Sequence, residues 1–305
     1  MATASLRALL AGTIDYAGLF PPASLSLEPA VKNYADYLRT DDAWMLGTFV
    51  LPVGQFDDVS AFLNGFDVQH RLRVSALGAK TEHASYFATA LSSTAKAISD
   101  FNRRHGAVAG VTQIEMPLPN DATASVTQAA EALENLQVPV FFEAPADAAE
   151  RTIAQLAEHR LATGSTLVGF KLRTGGVIAS AFPSSVQIAR ALVAAVEHSV
   201  PIKLTAGLHH PVRQFHSSVQ TKMHGFLNVL GAGVLAAEHG LDVQQTARML
   251  EAESSSEFTF SDDAFTWDRW EIATERVIAH RKLVTSLGSC SFDEPREDLR
   301  GLNLL

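Results

Sequence analysis

The chain has 305 residues, a length that suits one α/β barrel, and 47% of them are hydrophobic, which excludes a disordered chain. A net charge of −9 with no basic run argues against a nucleic-acid groove or an anionic membrane surface as partner. The one cysteine, Cys290, excludes an internal disulfide framework and a cysteine-based zinc knuckle, and it fits a reducing, cytoplasmic compartment.

The first apolar stretch, residues 6–14, is broken by Arg7, Gly12 and Thr13, so neither a signal peptide nor a membrane span is expected there. Residues 1–44 read as an N-terminal helical extension: a helix, a DYAGLFPP loop at 15–22 and a second helix around 29–38. In that loop Asp15 and Tyr16 form either a lid or, preferably, a plug at the barrel bottom. Strand-like runs follow at 46–51 (LGTFVL), 72–77 (LRVSAL), 110–116 (GVTQIEM), 138–143 (VPVFFE), 167–172 (LVGFKL) and 201–205 (PIKLT). Two weaker ones lie at 258–261 (FTFS) and 286–292 (SLGSCSF).

Helical spacing separates these runs. Phe87, Leu91, Ala95, Ile98 and Phe101 form one set, and Val126, Ala130, Leu133 and Leu136 another. Val186, Ala189, Leu192 and Val196 follow Ser184 and Ser185, which suit a helix cap. Residues 226–235 could pass for a strand, but the segment 225–240 (GFLNVLGAGVLAAEHG) is long enough to predict a helix ending at Gly240, followed by a short helix over 243–250 and a last long helix starting near Trp267. Repeated strand–helix order implies parallel strands with right-handed crossovers. The expectation is one domain over 1–305, a (β/α)8 TIM-type barrel with an N-terminal helical extension. A doubly wound open sheet is the competing fold.

Side chains alternate along a strand. If Phe170 and Leu172 face the helices, Lys171 and Arg173 face the barrel interior. By the same parity Lys203 and Thr205, Glu143, and Glu115 with Gln113 point inward. Four successive strands thus send charge toward the C-terminal strand ends, where parallel barrels place their sites. A structural ion-pair network is one reading. Chemistry is preferred, because interior charges kept only for stability are replaceable by apolar packing. Two lysines on neighbouring strands suggest that each depresses the other's pKa, so that one amine attacks a carbonyl and forms a Schiff base. Lys171 is the preferred nucleophile and Lys203 its perturber, with Glu143 and Glu115 carrying protons. Arg173, Thr174 and Gly175, together with Thr205, His209, His210 and Asn228, are candidates for holding the substrate. That substrate is expected to be small and anionic or polyhydroxylated.

Segments 171–176 (KLRTGG), 203–207 (KLTAG) and 287–291 (LGSCS) resemble the successive strand-end motifs of deoxyribose-phosphate aldolase, a class I aldolase barrel. The resemblance covers the second half of the chain. It implies a Schiff-base lysine at Lys171, a second functional lysine at Lys203, and phosphate binding by the LGSCS segment. Arg173 stands where that family has a small hydroxyl residue, and one glycine, Gly207, stands where it has two. As a whole the sequence also resembles a group of uncharacterised bacterial proteins with an AGLHHP segment and an SCSF-EP-DL tail.

The histidines supply a rival reading. His209, His210, His216 and His224 fall in one short stretch, and His210 and His224 with a glutamate could hold one divalent metal such as Zn or Mn. The alternatives to a cofactor-free lyase are therefore a metal-dependent hydrolase, isomerase or lyase, and a non-catalytic small-molecule-binding barrel. Homo-oligomerisation is an open possibility. Cys290 reads as packed rather than nucleophilic, because no histidine neighbours it in the chain.

Overall fold

A computed structural model describes residues 2–119 and 126–305. Eight parallel strands close into a barrel. They are β1 (Ile14–Tyr16), β2 (Leu46–Pro52), β3 (Leu72–Leu77), β4 (Ala109–Pro117), β5 (Val140–Glu143), β6 (Val168–Arg173), β7 (Ile202–Thr205) and β8 (Val284–Ser289). Closure comes from β8, which pairs with β1 through Ile14 and Leu287 and with β7 through Leu204 and Leu287. The fold is the expected TIM-type α/β barrel, and its outward strand residues, such as Phe170, Leu172, Ile202 and Leu204, are fully buried beneath the helices.

Strand membership differs from the sequence reading at both ends of the chain. The first barrel strand is Ile14–Tyr16, inside the segment read as extension and loop. Three residues are too short to show a period, and Gly12 and Gly18 around them read as loop signals. Only helix Ala4–Leu10 precedes the barrel, while helix Leu27–Tyr37 is the β1–β2 crossover. Residues 258–261 do not enter the barrel. Phe258–Phe260 pairs antiparallel with Ala264–Trp267, which pairs with Trp270–Ala273. Residues after Trp267 therefore form a hairpin, turning at Asp268 with φ +51°, and the helix begins only at Thr274. Alternating aromatic and polar residues there satisfy a strand as readily as a helix.

The β7–β8 connection is the long one. It holds a two-stranded hairpin (Gln214–His216 with Thr221–Met223), helices Phe226–His239 and Val243–Leu250, the three-stranded meander and helix Thr274–His280. Helix Phe226–His239 is buried on every side from Phe226 to Ala236, as an all-round apolar helix must be. Stretch Ala179–Glu197 is long and apolar enough by composition to cross a membrane. Its helix, Ser185–Glu197, starts with a Ser184–Gln187 capping box and packs between neighbouring helices of the outer ring.

Asn228, a substrate candidate in the sequence, serves this connection instead. Its Oδ1 accepts from the Arg213 backbone N–H, and its Nδ2 donates to the carbonyls of Met249 and Ala252. It is fully buried, and its amide ties the hairpin to the end of helix Val243–Leu250. Asn228→Ala leaves three buried backbone groups without that partner. The expected loss is about 3 kcal/mol of stability in urea unfolding, with ligand binding at the barrel mouth unchanged.

Candidate functional site

The barrel interior is filled with polar groups on its mouth side. Asp15 of β1 accepts from the Thr48 backbone N–H (2.6 Å), Thr48 Oγ1 (2.7 Å), Gln113 Nε2 (2.9 Å), Ser286 Oγ (2.7 Å) and Lys203 Nζ (2.6 Å). Its carboxylate lies so close to Gly47 that a Cβ there would meet Asp15 Oδ1 at 2.3 Å, which explains why β2 carries no side chain at that point. Glu115 of β4 accepts from Ser75 Oγ (2.6 Å) and pairs with both lysines, Lys203 at 2.6 Å and Lys171 at 2.6 Å. Lys171 reaches on to Glu143 at 2.7 Å. The four charged residues predicted to converge therefore do converge, in the order Asp15–Lys203–Glu115–Lys171–Glu143. Asp15 is the member the sequence reading left out.

This order revises the expected electrostatics. Lys171 and Lys203 are register partners on β6 and β7, yet a carboxylate stands between their ammonium groups. Burial pulls Lys203 down, but Asp15 and Glu115 outweigh it and raise its pKa above the ordinary lysine value. Burial opposes the charge of Glu115 as well, and the two ammonium groups overcome that and hold it well below the usual carboxylate range. Mutual depression of the two lysines is thus not how the site works for Lys203. It is fully buried, and Asp15, Glu115 and Ser75 (3.4 Å) take its N–H groups.

Lys171 differs in what it faces. It and Glu115 form the floor of a cavity of about 210 Å³ whose walls include Phe20, Pro21, Pro22, Val50 and Leu77, with Arg173, Thr205, His209 and Cys290 at its sides. Phe20–Pro22 thus belongs to the mouth, which overturns the bottom-plug reading of the DYAGLFPP loop. A second, outer cavity of about 460 Å³ adjoins over the ends of β4 to β6, lined by Glu143, Arg173, Gly175 and Lys80 among others. Arg173 is exposed and borders both cavities instead of filling the interior.

The remaining candidates divide. Thr174 is fully buried and its hydroxyl donates to the carbonyls of Ala206 (2.7 Å) and Thr205 (3.2 Å), so it clamps the turn after β7 rather than a substrate. Gly175 packs against that turn, where a Cβ on Gly207 would meet Gly175 Cα at 3.1 Å. Thr205 lines the inner cavity with a buried hydroxyl that has no partner. His210 donates from Nδ1 to Asp298 (2.7 Å) and stacks on His216. His224 donates from Nε2 to the Pro183 carbonyl (2.8 Å), and burial lowers its pKa. The proposed metal pair is therefore not assembled: the two rings are committed to different partners. Among the described residues no group of three or more His, Cys, Asp or Glu side chains is placed to hold a metal ion.

His209 is the histidine at the cavity, and it lies against Cys290, with Sγ 3.8 Å from Nδ1 and 3.9 Å from Nε2. Nδ1 is also 3.2 Å from Glu294 Oε2. Burial works against an imidazolium here, but the Cys290 and Glu294 contacts prevail and raise the His209 pKa to about 9. The reading of Cys290 as a merely packed thiol missed this neighbour, which lies 81 residues earlier in the chain.

No family model matches the chain, and no curated protein matches it. Among solved structures the chain is similar to the catalytic domain of a hyperthermophilic chitinase from Pyrococcus furiosus, at 12% identity and a TM-score of 0.41, over 83% of this chain and 93% of that one. The fold assignment rests on the strand pairing itself.

Two outcomes follow from the charges. Lys203→Met leaves Asp15 and Glu115 buried without their shared cation, and should cost about 3–5 kcal/mol in urea unfolding. His209 binds its proton more tightly in the folded chain, so its stabilisation is complete below pH 6.5 and is lost as the pH rises toward about 9. Melting temperature should fall across that window, and His209→Asn should flatten the fall.

Proposed function

We propose that the protein is a lyase that cleaves or forms a carbon–carbon bond next to a carbonyl group, through a Schiff base on Lys171. The observation that carries this reading is the placement of Lys171: a buried amine at the C-terminal end of β6, held between two carboxylates, with a cavity above it. The resemblance of its KLRTGG and KLTAG segments to aldolase strand ends supports the same chemistry.

In this reading one ammonium proton of Lys171 passes to Glu143, and the freed amine attacks the substrate carbonyl carbon. The carbinolamine loses its hydroxyl as water, taking the proton back from Glu143, and an iminium remains. A base then removes the proton of a hydroxyl on the β-carbon. The bond between the α- and β-carbons breaks, its electron pair moves toward the iminium nitrogen, and an aldehyde leaves. The enamine is protonated at carbon, and water releases the second product and regenerates Lys171. Glu143, partly exposed toward the outer cavity, is the group placed to exchange protons. Glu115 and Lys203 are positioning residues, because their charges are locked by each other.

The substrate class is a small hydroxylated carbonyl compound. Arg173 and the imidazolium of His209 at the cavity sides favour one that also carries an anionic group. The test is borohydride reduction of the protein with pooled small aldehydes and ketones, followed by peptide mapping. A reduced adduct on Lys171, absent in Lys171→Arg and formed about a hundredfold more slowly in Glu143→Gln, is the expected result. An adduct that persists in Lys171→Arg, or no adduct with any member of the pool, would overturn the proposal.

A further inference from the structure

The Schiff-base chemistry draws only on the charge of His209 from one wall of the inner cavity, and that wall carries a chemistry of its own. Cys290 follows β8, and its sulfur touches the His209 ring. His209 Nδ1 is held by Glu294, on the helix Asp293–Gly301 that begins three residues after the cysteine. Both Cys290 and His209 line the cavity, though each is more than nine-tenths buried. On the same wall Thr205 is 7% exposed and its Oγ1 has no hydrogen-bond partner. Its methyl lies toward Gly288, where a Cβ would meet Thr205 Cγ2 at 3.2 Å. A buried hydroxyl without a protein partner is costly, and at a cavity wall it is left free to donate to a ligand atom. A thiol kept for packing alone needs neither an oriented histidine nor an orphan donor beside it.

We propose that Cys290, His209, Glu294 and Thr205 form a second nucleophilic centre that transfers short acyl groups from small esters or thioesters. Cys290 attacks the acyl carbonyl carbon as a thiolate, its proton already held by His209 as the imidazolium, and the carbonyl electron pair moves onto oxygen. Thr205 donates its unpartnered O–H to that oxyanion. Collapse breaks the bond to the leaving oxygen or sulfur, which takes the proton from His209 and leaves a thioester on Cys290. Water then attacks the thioester, giving up a proton to His209. The acid leaves with the thiolate and the imidazolium restored. Glu294 orients the ring, as the third member of such arrangements does. The cavity, about 210 Å³ and shared with the Lys171 floor, admits only a short acyl chain.

The test uses the full chain with p-nitrophenyl acetate. The expected result is a burst of about one equivalent of nitrophenolate per chain, with one acetyl group mapped to Cys290. Cys290→Ser should lose the burst, His209→Asn should slow it about a hundredfold, and Thr205→Val should slow it by a similar factor. Alkylation by iodoacetamide at fixed neutral pH gives a second reading that needs no ester. Cys290 should react in the native protein, and at least tenfold more slowly in His209→Asn. No acetyl group on Cys290, or acylation and alkylation rates that do not respond to His209→Asn, would overturn the proposal. Neither measurement passes through Lys171, so this proposal and the Schiff-base reading fail or stand separately.

Discussion

The interior of this barrel is held by a line of charges that alternate in sign. Asp15, Lys203, Glu115, Lys171 and Glu143 come from β1, β7, β4, β6 and β5, and each neighbouring pair lies 2.6 or 2.7 Å apart. Every ammonium in the line touches two carboxylates, and Glu115 touches two ammonium groups. Removal of any inner member strands a charge in a place that water does not reach. Hydroxyls from β2, β3 and β8 and an amide from β4 donate to Asp15 and Glu115. All eight strands therefore contribute a member of the line or a group that hydrogen-bonds to it. Three carboxylates against two ammonium groups leave one net negative charge, and the line ends at Glu143, its most exposed member. Apolar packing of equal volume would serve stability as well, so the line is better understood through what it holds at its end.

That same constraint separates two lysines that look alike in the sequence. Lys203 sits where Asp15, Glu115 and Ser75 surround it, and its proton is secured. Lys171 shares Glu115 but has the cavity and Glu143 on its other sides. The groups around each ammonium, rather than residue type or spacing, decide which of the two faces the cavity.

Strand parity alone placed Lys171, Lys203, Glu115 and Glu143 in the interior, because alternation survives in runs as short as FKLR and IKLT. It failed for Asp15, since three residues flanked by glycines carry no readable period, although the residue proves central. Arg173 obeyed the parity but lies one step past the rim, where inward means into solvent. Asn228 and Thr174 have the polarity of ligand-binding residues, and the structure spends that polarity on backbone carbonyls and N–H groups. Such local satisfaction leaves no trace in composition. Cys290 and His209 meet only because β7 and β8 are barrel neighbours, and that adjacency depends on the closure, which the sequence order of elements implies but does not locate.

The mouth is organised by one turn. Directly after β7, Ala206 and Gly207 both take left-handed backbone conformations, with φ of +67° and +75°. For alanine this is costly, by about 1 kcal/mol or more, and it persists only where surrounding contacts impose it. Thr174 supplies them, its hydroxyl donating to the successive carbonyls of Thr205 and Ala206, while Phe182 and Gly175 close on Gly207. The turn sends Leu208 into the core at 0% exposure and brings His209 back over the cavity against Cys290. Thr174, one residue past the strand of Lys171, thus fixes the position of His209 beyond the neighbouring strand. The end of β6 and the two residues after it, 171–175, set both the amine on the floor and the imidazole at the side, so the two groups share a single mechanical support.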